Sequence, residues 1–147
     1  VHPGDIHWSD EPRVFKTVLG SCVSVCLWDV VLGIGGLTHF VLPSAKGQES
    51  GGRFGDVAVP ALIGKLRQMG CNTLNAKLFG GAAVLAGAKG PTVGDSNTQL
   101  ALSVLETARI PVVARRTGGV DGMVLLFYSA TGDAGVRIIA PVRHHYP

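Results

Sequence analysis

The chain has 147 residues, which suits one domain. Twenty-one are glycine, 16% are charged, 46% are hydrophobic and mean hydropathy is +0.33; this excludes disorder, and the absence of a triplet or heptad period excludes collagen and coiled coil. The net charge of +3 (pI about 9.0) comes from scattered Lys and Arg without interleaved aromatic residues, so no nucleic-acid partner is expected.

In chain order, the start Val1-His2-Pro3 carries no basic-then-apolar signal pattern, and the missing initiator Met suggests a trimmed start. Pro12–Leu19 alternates and reads as a strand, broken by Gly20-Ser21. Cys22–Trp28 is rich in β-branched and aromatic residues and reads as a second strand. Asp29–Gly33 turns it into a hairpin partner over Ile34–Leu42, which Pro43 ends. Between Thr17 and Ala45 only Asp29 is charged, yet glycines and Pro43 interrupt the stretch. It reads as two buried strands and a turn, with no membrane insertion expected.

Ser44–Gly55 is a polar loop, read as the most flexible part of the chain. Asp56 is a good N-cap for a helix with Pro60 in its first turn, a stripe of Ala58, Leu62, Leu66 and Met69, and Gly70 as its stop. Ala76–Phe79 is a short strand, and Gly80-Gly81 opens a glycine-rich loop running to Asp95. Ser96 or Asn97 caps a second helix that buries Leu100, Val104, Leu105 and Ala108. Strands follow over Pro111–Arg115, Met123–Tyr128 and Val136–Ile139, with turns at Thr117–Gly119 and Thr131–Asp133. Two main helices against seven or so strands give an α/β (α+β) domain, a layered mixed-sheet sandwich.

Three cysteines, Cys22, Cys26 and Cys71, lack zinc-ligand spacing, and an odd count without a secretion signal points to the reduced cytosol. Cys22 follows a glycine break at a strand end, which aims a side chain outward and leaves backbone N–H groups free. It reads either as a buried strand cysteine or as a nucleophile. A nucleophile needs a base. Of His2, His7, His39, His144 and His145, only His39 lies inside an apolar strand, and the hairpin can bring it back beside Cys22. Gly20-Ser21-Cys22 superficially matches papain, but the chain after Cys22 is too short for that enzyme's distant His. The segment Gly80–Gly90 matches neither nucleotide-loop pattern, so neither a nucleotide cofactor nor a metal is expected.

The blocks Thr17–Asp29, with Leu19-Gly20-Ser21-Cys22-Val23 at their centre, and Gly35–Pro43, with His39-Phe40-Val41-Leu42-Pro43, closely resemble the CheD family of chemoreceptor glutamine deamidases. Phe79–Ala83, the Gly94–Asn97 segment, Thr117-Gly118-Gly119 and Thr131-Gly132 carry the resemblance over nearly the whole chain, 1–147. The resemblance implies a cytoplasmic cysteine hydrolase that converts glutamines of a chemoreceptor's helical cytoplasmic domain to glutamates. It implies Cys22 as nucleophile, His39 as base and Thr17 as the third group, with no cofactor or metal. Backbone N–H groups at Gly20 and Ser21 would then hold the oxyanion. It also implies binding to a CheC-type phosphatase, and methylester hydrolysis as a side activity. A regulatory adaptor that binds receptors or such a phosphatase with little catalysis is the alternative. A receptor helix as substrate calls for an open groove, with Ser44–Gly55 and the glycine loop from Gly80 as its borders. Cys22 is expected to carry a depressed pKa and to alkylate faster than Cys26 and Cys71.

Overall fold

The run Val23–Asp29 is apolar at nearly every position, and a strand of that kind needs cover on both faces. The computed structural model, which describes residues 1–45, 51–83 and 91–139, supplies it with three layers. The strands are β1 (Ile6–Ser9), β2 (Val14–Leu19), β3 (Val23–Asp29), β4 (Ile34–Thr38), β5 (Asn75–Gly80), β6 (Val112–Thr117), β7 (Gly122–Tyr128) and β8 (Ala134–Ile139). The helices are α1 (Gly55–Gln68) and α2 (Val93–Thr107). A five-stranded sheet runs β1-β4-β3-β5-β6, and a three-stranded sheet runs β2-β7-β8. Only the β5–β6 pair is parallel, and α2 lies in the crossover between them. This is an α+β layout of two sheets and two helices, as expected from the sequence.

β3 shows how the layers are read from alternation. Val23, Val25 and Leu27 point into a core with Ala58, Leu62 and Leu66 of α1 and Ala101 and Leu105 of α2. Cys26 and Trp28 point the other way, into a core with Leu37 of β4, Leu19 of β2 and Leu125 and Phe127 of β7. Every residue of β3 is buried as a result. In the thinner sheet β2 alternates cleanly: Thr17 and Leu19 face inward, while Val14, Lys16 and Val18 are exposed.

Several boundaries differ from expectation. β3 begins one residue after Cys22, and β4 stops one residue before His39. β1 was not anticipated; its sequence Ile-His-Trp-Ser has little apolar content, and it is held as an edge strand by pairing with β4. Asp56 is not the N-cap of α1: the helix starts at Gly55 after Phe54, and the Asp56 carboxylate accepts hydrogen bonds from Ser44 Oγ (3.0 Å) and the Ala45 amide (3.1 Å). Pro60 lies inside α1, beyond the first turn. The cap of α2 is Thr92, neither Ser96 nor Asn97. Its hydroxyl accepts from the Asp95 amide, and the Asp95 carboxylate accepts from the Thr92 amide, a reciprocal capping box. Asn97 is thereby drawn into the helix proper. No helix among the described residues is long and apolar enough to cross a membrane.

Candidate active site

The chain leaves β2 in one sheet and enters β3 in the other through Gly20-Ser21-Cys22. Three successive carbonyls of this link are held. Gly20 C=O accepts from the Ala82 amide (2.9 Å), Ser21 C=O from Asn97 Nδ2 (3.0 Å), and Cys22 C=O from the Gly81 amide (2.9 Å). Two of those donors lie just past β5, where Gly80 and Gly81 take φ of +102° and +71°. A Cβ on Gly80 would lie 2.2 Å from the Cys22 carbonyl oxygen, so this turn requires glycine twice over, for conformation and for approach. The peptide planes are trans, so carbonyls turned toward Ala82 and Asn97 turn the amides of Ser21 and Cys22 the opposite way.

His39 follows β4 directly. Its amide donates to Asp5 C=O (3.1 Å) and its carbonyl accepts from the Gly4 amide (2.8 Å), so its backbone is fixed by the segment before β1. The residue as a whole is 2% exposed. Nδ1 lies 2.6 Å from Thr17 Oγ1, and that hydroxyl lies 3.1 Å from Val1 C=O. A carbonyl can only accept, so the single Thr17 proton goes to Val1 and the Thr17 oxygen accepts from Nδ1–H. This chain assigns the tautomer: the proton sits on Nδ1, and Nε2 presents a lone pair. Nε2 is buried and has no hydrogen-bond partner.

Register brings Cys22 to the same face. β3 and β4 pair antiparallel with Cys26 opposite Leu37, and Val23 and Phe40 exchange both backbone bonds at 3.1 Å. Continuing that register puts Cys22 opposite Val41 and His39 opposite Ser24. Cys22 and His39 are then diagonal neighbours on one face, a backbone separation of ~7–8 Å that a long side chain spans. Cys22 is half-buried against the Leu19–Phe127 core. Thr17, projecting inward from β2, meets the ring from the facing sheet.

Burial sets the protonation states. It pushes the Cys22 thiol above its ordinary value, partly opposed by Cys22's own amide. It pushes the His39 imidazole below its ordinary value. The expectation of a depressed Cys22 pKa is therefore corrected. The resting pair is a neutral thiol and a neutral imidazole, because low polarity disfavours both charged forms. Cys26 is fully buried and pushed up to about 12; Cys71 is also buried.

Thr17 and His39 thus meet, and the register sets Cys22 on the same face, with Gly20 and Ser21 in the link that leads to it. Among the described residues no three His, Cys, Asp or Glu side chains are grouped to hold a metal. Residues 46–50 of the polar loop, 84–90 of the glycine loop, and His144 and His145 lie outside the described residues. The β6–β7 turn braces the glycine turn, with Gly118 N–H donating to Gly80 C=O (3.0 Å) and Ala83 N–H to Gly119 C=O (2.9 Å). Sequence reasoning missed the contribution of Asn97. The Thr92-x-x-Asp95 capping box would have signalled that Asn97 faces the interior, one helical turn and more beyond the cap.

Comparison with known proteins adds identity to this geometry. A family model described as CheD chemotactic sensory transduction matches residues 41–138, beginning just past His39. A protein of Rhodospirillum rubrum named probable chemoreceptor glutamine deamidase CheD is 47% identical over 140 residues, covering 93% of this chain and 80% of its own. One of Anaeromyxobacter dehalogenans, named probable chemoreceptor glutamine deamidase CheD 1, is 46% identical over 93% of this chain and 82% of its own. One of Caulobacter sp., named probable chemoreceptor glutamine deamidase CheD, is 38% identical over 95% of this chain and 77% of its own.

Proposed function

The chain belongs to the CheD family, and from that premise we propose that it is a cysteine-dependent deamidase converting chemoreceptor glutamine side chains to glutamate. The relatives' names support the substrate class. The observation that carries the chemistry is the Val1–Thr17–His39 chain, which leaves a buried, unpartnered Nε2 lone pair on the face shared with Cys22. This reading places the protein in the compartment of the receptor's cytoplasmic helices.

In this mechanism the Cys22 side chain turns to bring Sγ within reach of Nε2, with or without substrate. The thiol adds to the glutamine side-chain carbonyl carbon as Nε2 takes its proton, so no stored thiolate is needed. Thr17 keeps the imidazole in the required tautomer and orientation, the third-group role of a triad. The Ser21 amide, joined by that of Cys22 in place of the Gly20 amide expected from the sequence, donates to the oxyanion, each donor worth a few kcal/mol at the barrier. The imidazolium then protonates the leaving nitrogen, the C–N bond breaks, and ammonia departs, leaving a thioester on Cys22. Water, deprotonated by Nε2, attacks the thioester carbon. The Cys22 thiol is restored with that proton, and glutamate is released.

The test incubates the protein with a receptor cytoplasmic domain and reads Gln-to-Glu conversion by peptide mass spectrometry. Conversion is expected for the natural chain, none for Cys22→Ala or His39→Ala, and a rate about tenfold or more lower for Thr17→Val, ~1.4 kcal/mol at the barrier. Conversion persisting in Cys22→Ala overturns the nucleophile. Receptor binding without conversion by the natural chain would instead establish the adaptor reading.

A further inference from the structure

Asn97 lies in α2, well separated in sequence from Cys22 and His39, and its side chain is completely buried. Its Nδ2 donates one hydrogen to Ser21 C=O (3.0 Å) and the other to Val41 C=O (2.9 Å). Both partners are carbonyls and can only accept, so the amide orientation is fixed. Both donors are spent, while Oδ1 is buried with no hydrogen-bond partner. A buried acceptor left unpaired is a stability cost. Stability alone therefore does not account for asparagine here.

The two carbonyls explain it better. Ser21 immediately precedes Cys22, and Val41, two residues past His39, is the position that continued register sets opposite Cys22. The backbone ladder between β3 and the strand after β4 ends at Val23–Phe40: its next hydrogen-bonded pair would be Ser21 and Leu42, but the Leu42 amide donates to Arg53 C=O (3.0 Å) and the Leu42 carbonyl accepts from the Gly55 amide (2.8 Å), which leaves Ser21 C=O without a ladder donor. Asn97 supplies the next rung from a third element. Its own position is firm: α2 is seated on the glycine turn, where a Cβ on Gly94 would lie 2.3 Å from the Gly81 carbonyl oxygen, and Thr98 Oγ1 donates to Gly94 C=O (2.9 Å).

We propose that Asn97 is a positioning residue for the Cys22–His39 pair, its side-chain amide setting the spacing between the nucleophile's segment and the strand that presents the imidazole. The inference rests on the reading of Cys22 and His39 as the reacting pair. A displacement of about 1 Å at such a pair costs up to ~100-fold in rate.

The test uses iodoacetamide, which needs no receptor. Alkylation of Cys22 is followed against pH, with the buried Cys26 and Cys71 as internal reporters of an intact fold. In the natural chain His39 accelerates Cys22, so His39→Ala slows it. Asn97→Asp keeps volume but replaces donors with acceptors, and is expected to slow Cys22 about 10- to 100-fold and give the pH profile of His39→Ala. Asn97→Ser, retaining one hydroxyl donor, should fall between. In the His39→Ala background, Asn97→Asp should add little, because Asn97 acts through the pair. With receptor substrate, kcat should fall while KM holds. Cys22 reacting in Asn97→Asp or Asn97→Ser as in the natural chain, with Cys26 and Cys71 still protected, overturns the inference and leaves the pair standing. If Asn97→Asp exposes Cys26 and Cys71, the decision passes to Asn97→Ser. A natural Cys22 indifferent to His39→Ala would sink the pair, and the role of Asn97 with it.

Discussion

A threonine hydroxyl can donate only one proton, and that restriction decides how His39 is poised. Because Thr17 gives its proton to Val1 C=O, the imidazole must donate from Nδ1 and offer Nε2 as a base. Burial then keeps the ring neutral to lower pH than usual. The acid limb of kcat/KM is accordingly expected below pH 6.5, the ordinary His value, and a pH–rate profile of the free protein would check it. Stability moves with the same sign. The folded state prefers neutral His39, so this contribution is complete above the unfolded pKa near 6.5 and is lost as pH falls through the lowered folded value. Cys22 acts in the opposite direction: its contribution is complete below 9.0 and is lost as pH rises through the raised folded value. Thermal melts should show the acid-side loss in the natural chain and less of it in His39→Gln. At this scale the placement of His39 on the Cys22 side of a hairpin was legible, since antiparallel pairing fixes which residues share a face. The protonation states were not, because they depend on how far the facing sheet closes over them.

Helix α2 shows what an element contributes to a site some seventy residues away in sequence. Its capping box fixes the first turn, which carries Gly94 against Gly81, and the start of the next turn sets Asn97 against Ser21 and Val41. Thr92→Ala is expected to cost about 1 kcal/mol of stability, measurable as a lower denaturant midpoint at unchanged slope. The helix itself was readable from its apolar spacing. Its start was not, since Thr92, Ser96 and Asn97 are all competent caps and only the reciprocal bond to Asp95 chooses among them. β1 escaped for a related reason: its four residues form a strand through ladder bonds to β4, a partner far along the chain. β3, by contrast, was evident from its β-branched and aromatic content, and the pairing of β2 with β7 in a separate sheet leaves no local trace in either sequence.

For the whole molecule, the decisive arrangement is that Thr17 and His39 meet across two different sheets, joined by the Leu19–Phe127 core. Phe127 is fully buried in that core. Phe127→Ala is expected to lower stability by about 3–5 kcal/mol. Because the site spans two sheets, local separation of the sheets is enough to abolish it, so deamidation is expected to be lost at denaturant concentrations below the global midpoint; parallel activity and circular-dichroism titrations would check this. The same arrangement sets the order in which the site can be assembled. Cys22 and His39 leave the ribosome early, whereas Asn97 and the β7 strand that supports Thr17 follow much later. Until those arrive, the nascent chain carries Cys22 and His39 without the contacts that place them. Contacts between segments so distant in sequence form slowly, so the site is completed by its latest-made parts, α2 and β7.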